Sequence, residues 1–313
     1  MTPDISTAPR RRGKTRPEIS DAERSKRRTV AVLVLPFAVL FVAFYILPIG
    51  YSVWQSLFAL RRAGAMQPAK QVFVGLGNYI DAVTDAAFHQ SLLNVLLYAI
   101  GPSALTVIIG LVIALIIDGR TGKRVAVAAR AVVFAPFAVP AVVGAIVWGF
   151  LYTPETSPVV DAARALGWSL DPLSWSPVWT VGNIAMWTYI GFNTLIFLAA
   201  LGAIDPSIFE SARIDGANAL QIAWKIKVPL LAPSIVLSIV FNLIGTLQLF
   251  TEPTALRTLS NEISSGWTPS MLAYAEAAAN RYNVSATLST LLAIITAVFS
   301  FALLRLTARR AGQ

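Results

Sequence analysis

ESARIDGANALQIAWKIKVP, residues 210 to 229, is a polar stretch in the middle of an apolar chain. It holds five charged side chains: Glu210, Arg213, Asp215, Lys225 and Lys227. The segments on either side of it, 172–204 and 228–251, carry no charge at all. Such an arrangement predicts two helices in an apolar layer, joined by a polar connection that lies outside it.

The composition indicates a membrane protein with several spans. Hydrophobic residues make up 56% of the 313 residues and charged residues only 13%, about half the charged share of a soluble domain. The mean hydropathy is +0.66. The net charge of +9 comes from basic residues at the ends of apolar runs, which is typical of membrane topology and not of nucleic-acid binding. With no cysteine and only His89, disulfides and Cys- or His-rich metal sites are excluded.

Six uncharged runs are long enough to cross a bilayer, which takes about 20 residues. We therefore predict an all-α integral membrane protein with six transmembrane helices. The runs are 29–60, 90–117, 131–154, 172–204, 228–251 and 282–304. Their predicted membrane cores are 31–51, 92–116, 131–152, 179–201, 230–250 and 284–304.

The charges predict that both termini are cytoplasmic. On that orientation the inside segments contain nineteen Lys and Arg residues and the outside segments six, which follows the positive-inside rule. We predict that residues 1–29 form a disordered basic cytoplasmic tail. The long uncharged run after it argues against a cleaved signal peptide and predicts an uncleaved first span. Residues 309–313 form a second cytoplasmic tail.

The sequence lacks the residues that proton coupling or ATP hydrolysis within this chain would require. No predicted span contains an ionisable side chain, and Glu252, at the outer end of span five, is the nearest exception. A proton relay of the kind found in ion-coupled carriers therefore has no carriers. The stretch DGRTGKR (118–124) fails the phosphate-loop pattern, since Ile117 and Arg124 replace its first glycine and its Ser/Thr. If ATP drives this protein, another chain must hydrolyse it.

The opening loop predicts two helices separated by a glycine. Asp205 and Pro206 suit the N-cap and first position of one helix. Gly216 suits the left-handed residue that ends it. Asn218 and Gln221 predict a capping box at the start of the second helix, which would run to about Lys227.

The same loop resembles the EAA loop of binding-protein-dependent ABC importer permeases. Glu210-Ser211-Ala212, three residues, Gly216, nine residues and Ile226-Lys227-Val228-Pro229 follow the family pattern, with Ser211 and Val228 as departures. The resemblance implies a coupling helix that docks a cytoplasmic ATPase. The implied docking residues are Glu210, Ser211, Ala212, Arg213, Asp215, Gly216, Ile226 and Pro229. The alternative from the residues alone is an amphipathic helix that rests on lipid.

The likeness extends over residues 30–308, which we predict to be one permease domain with its coupling loop at 205–228. Residues 35–58 are similar to the first span of sugar-type permeases, of the maltose and glycerol-phosphate first-subunit class, and GLGNY (75–79) resembles another family segment. Together they imply the type I ABC importer permease fold. TEPTALRTLSNEISSGWTP (251–269) departs from the Gly-rich turn that many members have after span five.

Polar and small side chains form stripes on the predicted spans, for instance Ser234, Ser238, Asn242 and Thr246 every four residues in span five. Packing between membrane helices uses the same residue types, so each position has that alternative role. The resemblance to maltose-type permeases implies a substrate site. Its residues would be Gly191, Thr194, Ser238, Phe241, Asn242 and Gly245.

The predicted function is the non-enzymatic permease of an ATP-driven importer in the bacterial plasma membrane, for a sugar, oligosaccharide or polyol. The resemblance implies a second homologous permease, two cytoplasmic ATPase subunits and an extracytoplasmic binding protein or lipoprotein. The chain itself would bind no cofactor, since ATP and Mg²⁺ are used by the ATPase. Alternatives are a permease for glycerol phosphate, polyamine or another small solute, and an ion-coupled carrier.

Overall fold

The computed structural model describes residues 21–61, 70–119 and 123–311. Most of the predicted basic tail, residues 1–20, lies outside them, as do residues 120–122 of the DGRTGKR stretch and residues 312 and 313. The chain divides into two compact units, 1–51 and 52–313.

The first unit is helical throughout its described part. Helix α1 (Asp21–Phe41) continues through a π-helical segment, Val42–Ile46, into α2 (Leu47–Ser56), which extends into the second unit. Phe37, Phe41 and Tyr45 stack along one face at centroid distances of 5.9 and 5.4 Å. The helix begins at Asp21, inside the segment predicted to be a disordered tail, because the run from Asp21 is rich in Ala, Glu, Arg and Lys, which favour helices.

The second unit begins with a short hairpin that the all-α prediction did not include. Strands β1 (Phe58–Arg61) and β2 (Lys70–Phe73) pair antiparallel, with Phe58 opposite Phe73. The side chain of Asn78, in the GLGNY segment, donates hydrogen bonds to the carbonyls of Ser56 and Phe58 at 2.7 and 2.8 Å. This asparagine therefore ties the hairpin to the helix that follows it.

The next helices form the second span. Helix α3 (Gly77–Thr84) precedes α4 (Ala86–Tyr98), which passes through a π-helical segment, Ala99–Ser103, into α5 (Ala104–Asp118). Pro102 lies in the π-helical segment, and proline lacks the N–H that a regular turn requires. The break in the hydrogen-bond ladder is therefore accommodated without ending the helix.

The predicted third span is bent. Helix α6 (Lys123–Phe134) leads through a 3₁₀ turn, Ala135–Ala138, to α7 (Ala141–Tyr152), and the two halves meet at 94°. The physical reason is Pro140, which disfavours the helical conformation of the residue before it; Val139 is accordingly extended. The expectation of one continuous helix over 131–152 was wrong in this respect.

The remaining helices follow the predicted order. The short helix α8 (Pro158–Ala165) is capped by the Ser157 side chain, and a 3₁₀ turn, Pro172–Ser174, precedes the next span. The later helices are α9 (Pro177–Gly202), α10 (Pro206–Ile214), α11 (Ala219–Ile222), α12 (Val228–Leu230), α13 (Ala232–Leu247), α14 (Thr251–Leu256), α15 (Pro269–Ala278) and α16 (Tyr282–Ala311), with a π-helical segment, Ala223–Lys227, between α11 and α12.

By length and composition, the described residues contain five helices able to cross a membrane, or six if the bent pair is one span. The predicted mostly helical membrane fold is confirmed. The candidate spans are 29–56, 86–118, 177–202, 232–256 and 282–302, with the bent pair at 124–152. The cytoplasmic position of the termini remains a prediction.

Helix α9 is the centre of the second unit. Half of its membrane window is buried, the highest share among the described candidate spans. Val181, Ile184 and Phe197 on this helix have no exposed surface. The first two belong to a core cluster with residues of α7 and α14, and Phe197 belongs to another with residues of α5. The neighbouring spans are thus arranged around α9.

Glycines allow α9 to approach its neighbours closely. A Cβ on Gly191 would lie 2.8 Å from the carbonyl carbon of Val133 and 2.9 Å from the Cα of Phe134. A Cβ on Gly110, in α5, would lie 2.9 Å from the Cβ of Asn193. Membrane helices associate by close packing, because lipid provides no hydrophobic driving force for their association. Small residues allow this close approach.

We predict that Gly191→Ala destabilises the protein, because its methyl group meets backbone that cannot move away freely. Overpacking of this kind costs about 1–3 kcal/mol. Gly202→Ala is the matched control on the same helix, since nothing lies within 4 Å of a Cβ there; it should be neutral or stabilising by up to about 1 kcal/mol. Apparent unfolding midpoints of the purified full chain in detergent measure both, and equal midpoints contradict the packing account.

Candidate functional site

The loop after α9 has the first predicted helix. Asp205 is the N-cap of α10, and its carboxylate accepts a hydrogen bond from the backbone N–H of Ser207 at 2.9 Å. That N–H holds the pKa of the exposed Asp205 carboxyl below its usual value, since a hydrogen bond to the charged form favours it. Pro206 takes the first helical position, as predicted.

Gly216 ends α10 in the left-handed conformation, with φ of 82°. The N–H of Ala217 donates to the carbonyl of Ala212 at 2.9 Å and that of Gly216 to Arg213 at 3.1 Å, which together form a Schellman motif. A side chain would be strained at this φ even though nothing lies within 4 Å of a Cβ on Gly216. The predicted role of this glycine is confirmed.

The second helix begins with the predicted capping box. The Asn218 side chain accepts from the N–H of Gln221, and the Gln221 side chain accepts from the N–H of Asn218, both at 2.8 Å. The helix continues as the π-helical segment 223–227 and reaches α12 without a break. The loop therefore forms an elbow of two helices that leads directly into the fifth span.

Lys227 joins this elbow to a second span, and sequence reasoning missed that role. Its Nζ lies 2.6 Å from the carboxylate of Asp118, at the end of α5, and 5.0 Å from the ring centroid of Phe209 in α10. The two charged side chains are 11% and 27% exposed. The only signal in the sequence was a pair of opposite charges at the ends of two apolar runs.

The predicted ATPase-docking residues lie together on the loop and face solvent. Of the eight, only Ala212 and Ile226 are partly covered, and the other six are exposed. Apolar side chains are exposed beside them: Ile208, Ile214, Leu220 and Trp224, with Ile214 at 87%. An exposed apolar surface of this kind is typical of a contact with another protein or with a membrane.

A second candidate site is a cavity of about 310 Å³ among α4, α5, α7, α9, α13 and α14. Its walls combine aromatic rings with hydroxyl and amide groups. The lining residues are Tyr98, Ser103, Thr106, Ala141, Ala185, Tyr189, Phe192, Phe241, Asn242, Gly245, Thr246, Gln248, Leu249, Phe250, Thr251 and Glu252. This mixture of apolar walls and a few polar groups is usual in small-molecule sites.

The structure brings three of the six predicted substrate residues to this cavity: Phe241, Asn242 and Gly245. The other three lie in contacts between helices. Gly191 packs on the backbone of α6, and the buried Thr194 hydroxyl donates to the carbonyls of Gly110 and Ile190 at 3.2 and 2.8 Å. A substrate role for these three remains a prediction from the resemblance.

Asn193 organises the wall beside the cavity, and sequence reasoning missed it too. Its side-chain oxygen accepts hydrogen bonds from the Ser238 hydroxyl and, at 2.9 Å, from the Asn242 amide. Asn193 and Ser238 have no exposed surface. The contact fixes α13 against α9 and sets the position of Asn242 at the cavity wall. Its sequence signal was a polar residue next to Thr194 in an uncharged span.

Glu252 is the charged residue of the lining. It is 5% exposed and lies in the first turn of α14, within the candidate span 232–256. No hydrogen bond from another residue reaches its carboxylate within the described residues, and none of the ion pairs there includes it. The sequence marked this residue only as the ionisable group nearest to a span.

Comparisons with known proteins give the relatives of the chain. The family model "Binding-protein-dependent transport system inner membrane component" matches residues 106–311. The chain is 31% identical over 226 residues to the osmoprotective compounds uptake permease protein GgtC of Synechocystis, covering 69% of this chain and 77% of that protein. It is 29% identical over 246 residues to the trehalose transport system permease protein SugA of Mycobacterium tuberculosis, covering 77% and 76%.

A solved structure shows the same fold. It is a bacterial alginate ABC transporter in complex with an alginate pentasaccharide-bound periplasmic protein. The match has a TM-score of 0.77 at 19% identity and covers 92% of this chain and 96% of that one. At this identity the likeness concerns the fold.

We predict that Asp118→Asn destabilises the protein by roughly 1–3 kcal/mol, between the values typical of exposed and buried pairs, because it leaves the Lys227 charge without its partner. Asp161→Asn is the matched control: it breaks the ion pair with Arg164, whose side chains are more than 60% exposed, and should cost less than about 1 kcal/mol. Unfolding midpoints of the full chain in detergent measure both. An equal effect of the two variants contradicts a special role for the Lys227 pair.

Proposed function

This chain belongs to the family of inner membrane components of binding-protein-dependent transport systems, and we propose that it forms half of the pore of an ATP-driven importer for a sugar, an oligosaccharide or a polyol. The chain is a multi-pass permease subunit of an ABC importer. The observation that carries the solute class is the cavity, at about 310 Å³ within the range of ligand sites, roughly 300–1,000 Å³. Its aromatic rings suit the apolar faces of a sugar, and its hydroxyl and amide groups suit the solute hydroxyls.

The partners follow from the surfaces and from the family. The exposed loop with its apolar patch is proposed to seat in a cytoplasmic ATPase, which binds and hydrolyses ATP with Mg²⁺. A second, homologous permease is proposed to complete the pore as a heterodimer. An extracytoplasmic binding protein is proposed to deliver the solute, which the periplasmic protein of the alginate transporter supports.

The structure offers a direct route from the loop to the cavity. Closure of the ATPase would push on α10, whose Phe209 contacts Lys227. Lys227 lies immediately before α12, and α12 continues into α13 with a break of one residue. Helix α13 carries Phe241, Asn242 and Gly245 into the cavity wall. A displacement of the loop would therefore be transmitted along α12 and α13 to the residues at the cavity wall.

Uptake of labelled sugars and polyols in cells that lack the gene tests the proposal. Complementation with the wild type should restore the uptake of one solute, also when the proton gradient is collapsed and ATP is held constant. Uptake that stops with the proton gradient at constant ATP points to an ion-coupled carrier. If no sugar or polyol depends on the gene, the solute class is wrong.

We predict that Gly216→Val abolishes or strongly reduces ATP-dependent uptake, because a β-branched residue is unfavourable at φ of 82° and would distort the end of α10. Gly202→Val is the matched control, an exposed glycine with ordinary φ and nothing within 4 Å of a Cβ, and should keep uptake near the wild-type rate. Initial uptake rates are compared at equal amounts of protein in the membrane. Full uptake by Gly216→Val contradicts the docking role of the loop.

A further inference from the structure

The cavity wall contains one carboxyl group, to which no other described residue donates a hydrogen bond, in an otherwise uncharged lining. This group belongs to Glu252, which is only 5% exposed and borders the cavity. Two tyrosines, Tyr98 and Tyr189, line the same cavity. In the part of the chain that the structure describes, no Lys or Arg borders this space, so a solute meets negative or neutral groups and no positive one.

We propose that Glu252 sets the charge selectivity of the pore: the cavity accepts uncharged polyhydroxylated solutes and rejects anionic ones. This inference rests on the proposed function. A carboxylate accepts several hydrogen bonds and donates none, so the hydroxyl groups of a neutral sugar are suitable partners. Charge-assisted hydrogen bonds of this kind are stronger than those between neutral groups.

An anionic solute has no favourable position in the same cavity. Moving a phosphate or uronate group out of water is costly unless an opposite charge compensates it. The described lining provides no cation, and an ionised Glu252 would add repulsion.

The polar groups favour a neutral solute over a cation. Beside Glu252, the lining has hydroxyl groups at Ser103 and Thr251 and an amide at Gln248. These groups donate hydrogen bonds as well as accept them, and a quaternary ammonium ion has no acceptor to receive them. A polyhydroxylated solute uses both kinds of partner.

Direct binding to the purified full-length permease in detergent, without the binding protein, tests the inference. The probes are two pairs that differ by an anionic group, glucose with glucuronate and trehalose with trehalose 6-phosphate, together with choline. The wild type should bind each neutral member at least about tenfold more tightly than its anionic partner, as expected for a charge-assisted hydrogen bond gained on one side only. Glu252→Gln should reduce that preference to about threefold or less, and Glu252→Asp should largely keep it.

Glu262→Gln is the matched control, since it makes the same chemical change at an exposed residue outside the cavity lining, and it should leave the preference unchanged. Equal binding of neutral and anionic members by the wild type overturns the inference, as does tighter binding of choline or an unchanged preference in Glu252→Gln. The wild-type comparison decides even if that variant does not fold. If uptake of no sugar or polyol depends on the gene, the proposed function itself is wrong.

Discussion

The contact of Lys227 with Asp118 and Phe209 connects the loop of this permease to its membrane helices. A lysine that is 9% exposed is stable only with an opposite charge or an aromatic face close by, and here it has both. The two partners lie on α5 and on the loop helix α10. This side chain therefore holds the loop against the membrane helices. A force on the loop would be transmitted to these helices through it.

The rest of the bundle follows from the absence of water in the bilayer. Backbone and polar side-chain groups must be satisfied inside the protein, and the threonine hydroxyls of α9 do so by donating to carbonyls of the preceding turn or of α5. Asn193 bonds to Ser238 and Asn242 and so holds α13 at α9. The cavity is the space that these contacts leave, which explains why its polar groups lie at defined positions.

Local features were predictable from the sequence, and contacts between distant segments were not. The N-cap at Asp205, the left-handed Gly216 and the capping box at Asn218 depend on neighbours within a few residues, and each was predicted correctly. The resemblance to the importer permeases, drawn largely from this loop, is confirmed by the family match. The Lys227 pair spans more than a hundred residues, and no periodicity in the sequence indicates it.

The candidate cavity was predictable only in part. The stripe on the fifth span correctly brought Asn242 and its neighbours to attention, because helical periodicity defines a face. Periodicity does not say whether a face meets a cavity or another helix, and Gly191 and Thr194 meet other helices. Glu252 lies at the cavity because the chain turns between α13 and α14. The sequence did not predict the direction of this turn.

The central claim is that nucleotide acting on the cytoplasmic loop controls access to the cavity. The chain has no cysteine, so a single Gly245→Cys substitution labels the cavity, where nothing lies within 4 Å of the new Cβ. The measurement is its rate of alkylation by a membrane-impermeant maleimide from outside, in the assembled transporter, with and without ATP and Mg²⁺. The account predicts a rate that changes several-fold with nucleotide and does not change in a Gly216→Val background. A rate independent of nucleotide in the unmodified loop would contradict it.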